Sequence, residues 1–233
     1  MKHNLDKAIV CIVGLGYVGL PLAEAFAKSL KVIGFDIEAQ KVNKLKSQQW
    51  VISGQHSVAN PSDSPLPTPD SGLSTNLIFT TNPKEISKAD FIIICVPTPV
   101  TKSKEPDLSH IESASKIVSQ NMKKGSIVIL ESTVYPGVTE DVVKPILEES
   151  GLKCGDGFKI AYSPERINPG DEEHTIDKIT KVVAGMDEET TELVAALYRK
   201  ISYKWCYLVR SKLQSISIYH SYLVPLSFQH SSY

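Results

Sequence analysis

Three closely spaced glycines near the start of the chain have the types and spacing that bind a phosphate group. Gly14, Gly16 and Gly19 form a G-x-G-x-x-G sequence between an apolar run and a helical pattern. Such a turn lets the backbone approach a pyrophosphate, and the following helix offers free amides and a partial positive charge. Tyr17 and Val18 lie within the same turn. We predict that these five residues form the binding turn for a dinucleotide cofactor.

An acidic residue follows at the distance that dinucleotide-binding folds require. Asp36 ends the next apolar run, about twenty residues on, where a carboxylate accepts hydrogen bonds from both ribose hydroxyls. It would also repel a 2′-phosphate, which favours NAD over NADP as the cofactor. Lys41 and Lys44 argue mildly for the opposite preference, because nearby cations attract that phosphate. The same fold unit also serves flavin enzymes, so the choice of NAD depends on later motifs.

Candidate site residues follow three later apolar runs, at positions where open α/β sheets place their ligands. They are Pro97 and Thr98 after one run, Ser132 and Thr133 after the next, and Glu165, Arg166 and Asn168 after a third. Each motif alone is ambiguous. Thr-Pro and Pro-Gly pairs are ordinary turn formers, and an exposed Glu-Arg pair is more often a solvated surface pair. Together with the glycine turn, they predict a binding crevice at one edge of a sheet.

The elements that position these residues alternate along the chain. Strand-like runs cover residues 8–13, 32–36, 77–80, 91–96, 126–131, 159–163 and 181–184, and helical patterns cover 17–30, 38–48, 108–122, 138–150 and 188–201. Several strand-like runs are continuously apolar and β-branched, as expected for strands that are buried on both faces. The alternation predicts an α/β fold, with a doubly wound, mainly parallel Rossmann-type sheet and helices on both faces.

Two segments depart from this alternation. Residues 49–75 are rich in Ser and Pro and have no apolar period, which is long for a loop in a compact domain. From about residue 203 the sequence contains no Asp or Glu and becomes rich in Ser and Tyr. We therefore predict an NAD-binding domain over residues 1–201 and a divergent tail over 202–233. A frame-shifted end is the favoured interpretation of the tail, and a genuine segment that pairs with a partner is the alternative.

Composition argues against several other classes of protein. The formal net charge is −1, so a basic surface for nucleic acid or a membrane is not expected. The four cysteines are scattered without metal-ligand spacing, so no metal site is predicted. The first residues do not resemble a secretory signal, and no apolar run approaches the ~20 residues of a membrane span. The chain is therefore expected in the cytoplasm.

The motifs together resemble one enzyme family. GLGYVGLPLA, VPTP, ESTVYPG and YSPERINPGDEEH occur in order over residues 9–201. In these sequences the chain resembles the UDP-glucose/GDP-mannose dehydrogenase family. The longest motif, which reaches His174, is similar to the branch that acts on UDP-N-acetylhexosamines in capsule and O-antigen synthesis.

The resemblance implies two NAD-dependent oxidations at the sugar C6, from alcohol through aldehyde to carboxylate. It implies that the glycines, Asp36, Pro97, Thr98, Ser132 and Thr133 hold NAD. It also implies that Thr133 and Glu165 take part in catalysis, with Glu165 acting as a base or orienting water. Glu165, Arg166 and Asn168 would bind the UDP-sugar. Enzymes of this family are typically homo-oligomers.

The chain also departs from the family pattern. The nucleophilic cysteine of the family, in a G-x-G-x-G-G-x-C setting, has no counterpart, and Cys206 lies in an unrelated sequence. The dimer-forming central helix and the UDP-binding domain are also expected to be missing, as in a truncated chain. An inactive NAD-binding module is therefore an alternative to an enzyme. A β-hydroxyacid dehydrogenase is a third possibility, against which YSPERINPGD argues.

Overall fold

The computed structural model describes residues 5–52, 76–100, 106–164, 181–201 and 206–208. The strands are β1 (Ile9–Val13), β2 (Lys31–Phe35), β3 (Leu77–Thr80), β4 (Phe91–Ile94), β5 (Ile127–Leu130), β6 (Lys159–Tyr162), β7 (Lys181–Gly185) and β8 (Cys206–Leu208). They form one sheet in the order β3-β2-β1-β4-β5-β6-β7-β8. All neighbouring strands are parallel except β6 and β7. The predicted mainly parallel Rossmann-type sheet is confirmed.

The direction in which strands are added reverses beside β1. The chain builds β2 and β3 on one side of β1 and then places β4, β5 and β6 on the other side. Val13 at the end of β1 lies opposite Phe35 of β2 and Ile94 of β4. The carboxyl ends of these three strands therefore meet at one edge. Open α/β sheets bind their ligands in the crevice at such a reversal.

The described residues contain five α-helices: α1 (Gly19–Ala27), α2 (Ala39–Ile52), α3 (Ser109–Asn121), α4 (Lys144–Glu148) and α5 (Glu188–Tyr198). Each lies within or close to a predicted helical segment. The main difference is α2, which continues to Ile52, past the predicted end at residue 48. Residues 53–75, the rest of the Ser- and Pro-rich segment, lie outside the described residues.

Apolar side chains cover both faces of the sheet. Because successive strand residues point to opposite faces, Val10 and Ile12 pack in one core and Cys11 and Val13 in the other. The first core includes buried residues of α1 and α5, such as Phe26. The second includes buried residues of α3 and α4. This arrangement confirms the prediction of helices on both faces.

Two shorter helical segments were not predicted as such. A 3₁₀ helix spans Pro83–Lys88, and the side chain of Asn82 caps it by accepting from the Lys84 amide at 3.2 Å. The segment Val138–Val143 has the wider geometry of a π-helix and leads directly into α4. Pro145 lies at the start of α4 and has no amide proton, so the regular bond to a carbonyl one turn earlier cannot form. The helix predicted over 138–150 is therefore divided.

The described part of the predicted tail joins the sheet. Cys206–Leu208 form β8, which pairs in parallel with β7 through Lys181 opposite Cys206. For these three residues, the prediction that the tail is not part of the fold differs from the structure. The physical reason is that β7 otherwise leaves a row of backbone groups unpaired, and any extended segment can occupy them. The domain boundary at residue 201 stays a prediction.

Candidate cofactor-binding site

The glycine turn joins β1 to α1, and each glycine contributes differently. Gly14 has a φ of +98°, and a Cβ there would lie 2.8 Å from the carbonyl oxygen of Cys95. A Cβ on Gly19 would lie 1.9 Å from the carbonyl oxygen of Gly14, so only glycine lets α1 begin this close to the turn. At Gly16 an added Cβ would meet no atom within 4 Å. The space beside Gly16 is therefore open to a ligand.

The start of α1 presents polar backbone groups to this space. Its N-cap residue is Val18, and no side chain among the described residues caps the first turn. Amides at an uncapped helix start carry a partial positive charge and bind phosphate groups. Tyr17 is 62% exposed at the turn, whereas Val18 is buried. These features fit the pyrophosphate of a dinucleotide.

Asp36 is buried at the end of β2 and is bonded to the glycine turn. Its carboxylate accepts hydrogen bonds of 2.9 Å from the amides of Leu15 and Glu38. It also accepts one of 3.0 Å from Lys41 Nζ. Burial acts to raise the pKa of Asp36, but these hydrogen bonds and the ammonium charge lower it below its ordinary value. The ionised carboxylate is therefore held in one orientation. A fixed carboxylate is suited to accept hydrogen bonds from ribose hydroxyls.

The sequence suggests Lys41 as a cation that would attract a 2′-phosphate. In the structure, its ammonium group is already paired with acidic side chains. Its Nζ lies 3.0 Å from Asp36 and 3.1 Å from Glu38, and its side chain is 36% exposed. Burial acts to lower the pKa of Lys41, and its bonds to the two carboxylates raise it overall. Two carboxylates offset the charge of one ammonium group. The local charge therefore favours the uncharged ribose of NAD.

The ends of β4 and β5 are joined by side-chain hydrogen bonds. Thr98 Oγ1 donates to the carbonyl oxygen of Thr133 at 2.8 Å. Ser132 Oγ donates to the carbonyl oxygen of Val96 at 2.7 Å. Both bonds lie beyond the last residues of the strands, so they hold backbone that the sheet no longer fixes. The two predicted motifs are thus brought together.

One cleft combines the glycine turn with the ends of β4 and β5. Its lining includes the predicted residues Gly16, Tyr17, Val18, Pro97, Thr98, Ser132 and Thr133. Three lining residues were missed by sequence reasoning: Cys95, Val96 and Glu131. For Glu131 the sequence did hold a signal, because an acid that directly continues a buried apolar strand needs a partner.

Glu131 has two buried partners. Its Oε1 accepts from Lys181 Nζ, and its Oε2 accepts from the hydroxyl group of Tyr198. The ammonium group also lies 5.2 Å from the centre of the Tyr198 ring. Burial and the neighbouring carboxylate raise the pKa of Tyr198 well above its ordinary value, so its hydroxyl stays protonated and donates. The floor of the cleft thus contains a satisfied polar cluster from β5, β7 and α5.

The predicted substrate and catalytic residues Glu165, Arg166 and Asn168 lie outside the described residues. The structure does describe the residues just before them, up to residue 164. Tyr162 ends β6, beside β5, and burial raises its pKa to about 12 although a backbone hydrogen bond with Val134 acts to lower it. This contact links the segment before Glu165 to the loop after Thr133.

Metal-ligand clusters and membrane-spanning helices are absent from the described ranges. Within residues 5–52, 76–100, 106–164, 181–201 and 206–208, no group of three or more His, Cys, Asp or Glu side chains is arranged to hold a metal ion. Over the same residues, no helix has the length and apolar character needed to cross a bilayer.

Known proteins resemble this chain over most of its length. Protein CapL of Staphylococcus aureus is 45% identical over 193 residues, which are 82% of this chain and 43% of CapL. The UDP-N-acetyl-D-glucosamine 6-dehydrogenase of Pseudomonas aeruginosa is 45% identical over 195 residues, with the same two shares. The chain therefore spans less than half the length of these relatives.

Solved structures agree with the sequence relatives. The UDP-D-ManNAc dehydrogenase of Pyrococcus horikoshii superimposes with a TM-score of 0.73 at 30% identity, over 91% of this chain and 49% of that one. The UDP-N-acetyl-mannosamine dehydrogenase Cap5O of S. aureus gives 0.72 at 27% identity, over 91% and 50%.

The family comparison covers the glycine turn, Asp36 and the ends of β4 and β5 in a single match. Residues 8–202 match the NAD-binding domain of one dehydrogenase family, which confirms the predicted cofactor. The chain belongs to the UDP-glucose/GDP-mannose dehydrogenase family.

Proposed function

We propose that the chain supplies the cofactor-binding half of an enzyme that oxidises the C6 hydroxyl of a UDP-N-acetylhexosamine to the uronate. The observation that carries this proposal is the cleft that combines the glycine turn with the ends of β4 and β5. The identity of 45% to a UDP-N-acetyl-D-glucosamine 6-dehydrogenase supports the substrate class.

We assign different parts of NAD to Asp36 and to the residues of the cleft. The amides at the start of α1, beside Gly16, bind the pyrophosphate, and Asp36 accepts from the adenosine ribose hydroxyls. Since Asp36 lies at β2, the remaining half of the cofactor extends towards β4 and β5, where Thr98 and Thr133 lie. Bound NAD supplies the hydride acceptor for the oxidation.

The substrate residues are proposed to lie at the same edge of the sheet. In the sequence, Glu165, Arg166 and Asn168 follow shortly after β6. The carboxyl end of β6 lies beside that of β5, at the edge that carries Thr133. An arginine and an asparagine suit the polar and anionic groups of a UDP-sugar. Glu165 is proposed as a base or a water-orienting residue, and Thr133 as a second catalytic residue beside the cofactor.

A catalytically inactive NAD-binding module is the second candidate. Cys95 is the one cysteine that lines the cleft among the described residues, and its side chain is only 5% exposed. A thiol buried in this way is a poor nucleophile for an aldehyde. On this alternative, the chain binds NAD and leaves the oxidation to residues outside the given sequence.

The cellular setting follows from the same proposal. Cys11, Cys95 and Cys154 are free thiols, as expected in a reducing cytoplasm. The product would be a nucleotide-sugar uronate for capsule or related polysaccharides. The family resemblance further suggests assembly with a second copy.

The experiment measures NADH formation by the purified chain with NAD and UDP-N-acetylglucosamine, and thermal stabilisation by NAD on the same sample. Turnover supports the dehydrogenase. Stabilisation without turnover assigns the chain to the inactive module, or to a half that needs the rest of the enzyme. If the sample shows no stabilisation by NAD and no turnover, both candidates are overturned.

A further inference from the structure

Beneath the cleft lies a group of charged and polar side chains that the proposed cofactor contacts do not use. Glu131 has a relative exposure of 2% and directly follows β5. Lys181, at the start of β7, and Tyr198, at the end of α5, each bond one of its carboxylate oxygens. The three side chains therefore join β5, β7 and α5 at one point in the cleft floor.

Stability alone does not explain this cluster. A buried ion pair usually contributes little more than apolar residues of similar size, because desolvating two charges is costly. The strands that lead to this point are buried and apolar, and aliphatic side chains would pack against them. A role that needs polar, directional bonds at this position is therefore indicated.

The position of Glu131 shows what such bonds would hold. Its amide donates to the carbonyl oxygen of Ile94 at 2.9 Å, which continues the sheet pattern. The next residues, Ser132 and Thr133, line the cleft and bond to the loop after β4. A carboxylate fixed at both oxygens prevents the end of β5 from rotating or shifting.

The cluster also contacts α1. The Tyr198 ring packs against Phe26 of α1, with the ring centres 5.7 Å apart. Because α1 begins at the glycine turn, this contact ties the position of β5 to the helix that faces the pyrophosphate. Glu131 is thus connected through the Tyr198 ring to the body of α1.

We propose that Glu131, Lys181 and Tyr198 form a positioning cluster for the nicotinamide half of the cofactor, holding the end of β5 beneath it. The inference rests on the proposed NAD binding. Asp36 and the glycine turn hold the adenosine and pyrophosphate, so the cluster acts on the remaining half. It acts through Ser132 and Thr133.

The test compares two ligands on the full chain by titration calorimetry. One is NAD, and the other is ADP-ribose, which lacks only the nicotinamide ring. Glu131→Gln and Tyr198→Phe should each weaken NAD binding about tenfold. A change of this size corresponds to the loss of one hydrogen bond to a charged group. Binding of ADP-ribose should change less than about twofold, because its contacts lie at Asp36 and the glycine turn.

A matched control separates positioning from stability. Val194→Ala removes buried apolar volume from α5, the helix that carries Tyr198, without touching the polar cluster. It should lower the melting temperature and leave the affinities for both ligands unchanged. If Glu131→Gln does not fold, Tyr198→Phe carries the test, since it removes one hydroxyl and keeps the ring on Phe26.

The outcomes are distinct. Selective loss of NAD affinity in the cluster variants supports the inference. If the variants lose affinity equally for NAD and ADP-ribose, or lose none, the inference is overturned. The proposed function is still upheld in that case if the unaltered chain binds NAD. Failure of the unaltered chain to bind either ligand overturns the proposed function and this inference together.

Discussion

The carboxylate of Asp36 accepts a hydrogen bond of 2.9 Å from the amide of Leu15, so the end of β2 and the glycine turn after β1 form one unit. We therefore propose two functions for this acid. It orients the glycine turn, and its carboxylate accepts hydrogen bonds from the ribose of the dinucleotide.

Replacing Asp36 by Asn should weaken NAD binding by about tenfold, because the charged acceptor for the ribose hydroxyls is lost. Discrimination against NADP should also fall, since the repulsion of a 2′-phosphate is removed. Titration calorimetry with both dinucleotides measures the change. Asp90→Asn is the matched control: Asp90 accepts from the Ile9 amide at 2.9 Å at the opposite end of β1. If both variants lose NAD affinity equally, Asp36 has no direct role in binding.

The lowered pKa of Asp36 also predicts how stability depends on pH. Because the folded-state pKa lies below the unfolded value, the ionised carboxylate stabilises the fold. The contribution is complete above the unfolded pKa of about 4 and disappears as the pH falls through the folded pKa. Urea unfolding of the unaltered chain and of Asp36→Asn should therefore differ most near neutral pH and converge in acid. A difference that stays constant down to about pH 2 would contradict this.

Gly16 and Gly19 should respond in opposite ways to an added side chain. Gly16→Val should preserve the melting temperature and abolish NAD binding, because its side chain enters open space that the pyrophosphate needs. Gly19→Ala should destabilise the fold, since its Cβ would lie 1.9 Å from the Gly14 carbonyl oxygen. Thermal unfolding and NAD titration of both variants test the pair. Normal NAD binding by Gly16→Val would show that the ligand lies elsewhere.

Two serines on α3 offer a test of the core on the face away from the cofactor turn. Among the described residues, Ser115 Oγ is buried without a hydrogen-bond partner, whereas Ser119 Oγ donates to the Leu147 carbonyl oxygen at 3.3 Å. Ser115→Ala should therefore raise the free energy of unfolding by about 1 kcal/mol. Ser119→Ala should lower it by a similar amount. Urea denaturation compares them, and equal effects of the same sign would contradict the assignment.

The strands were predictable because their signal is local. Runs such as Phe91–Ile94 and Ile127–Leu130 are continuously apolar, and burial on both faces requires this. The helix over 138–150 was less predictable, since Pro145 divides it in a way that apolar periodicity does not show. β8 was missed because its pairing depends on an open edge of the sheet and not on its own sequence.

Some residues of the candidate site were likewise predictable from the sequence, and others were not. Gly14, Gly16, Gly19 and Asp36 were identifiable because backbone geometry dictates their types at fixed spacing. The bond between Thr98 and Thr133 joins residues far apart in sequence, and only the strand order brings them together. The partners of Glu131 come from β7 and α5, so no local pattern identifies them.

The assignment of the cofactor site can be tested by calorimetric titration of the purified chain and of Gly16→Val with NAD. We predict one NAD per chain and loss of the binding heat in the variant, whose fold should be unchanged. Absence of binding to the unaltered chain, or equal binding to both proteins, would contradict the assignment of this cleft as the cofactor site.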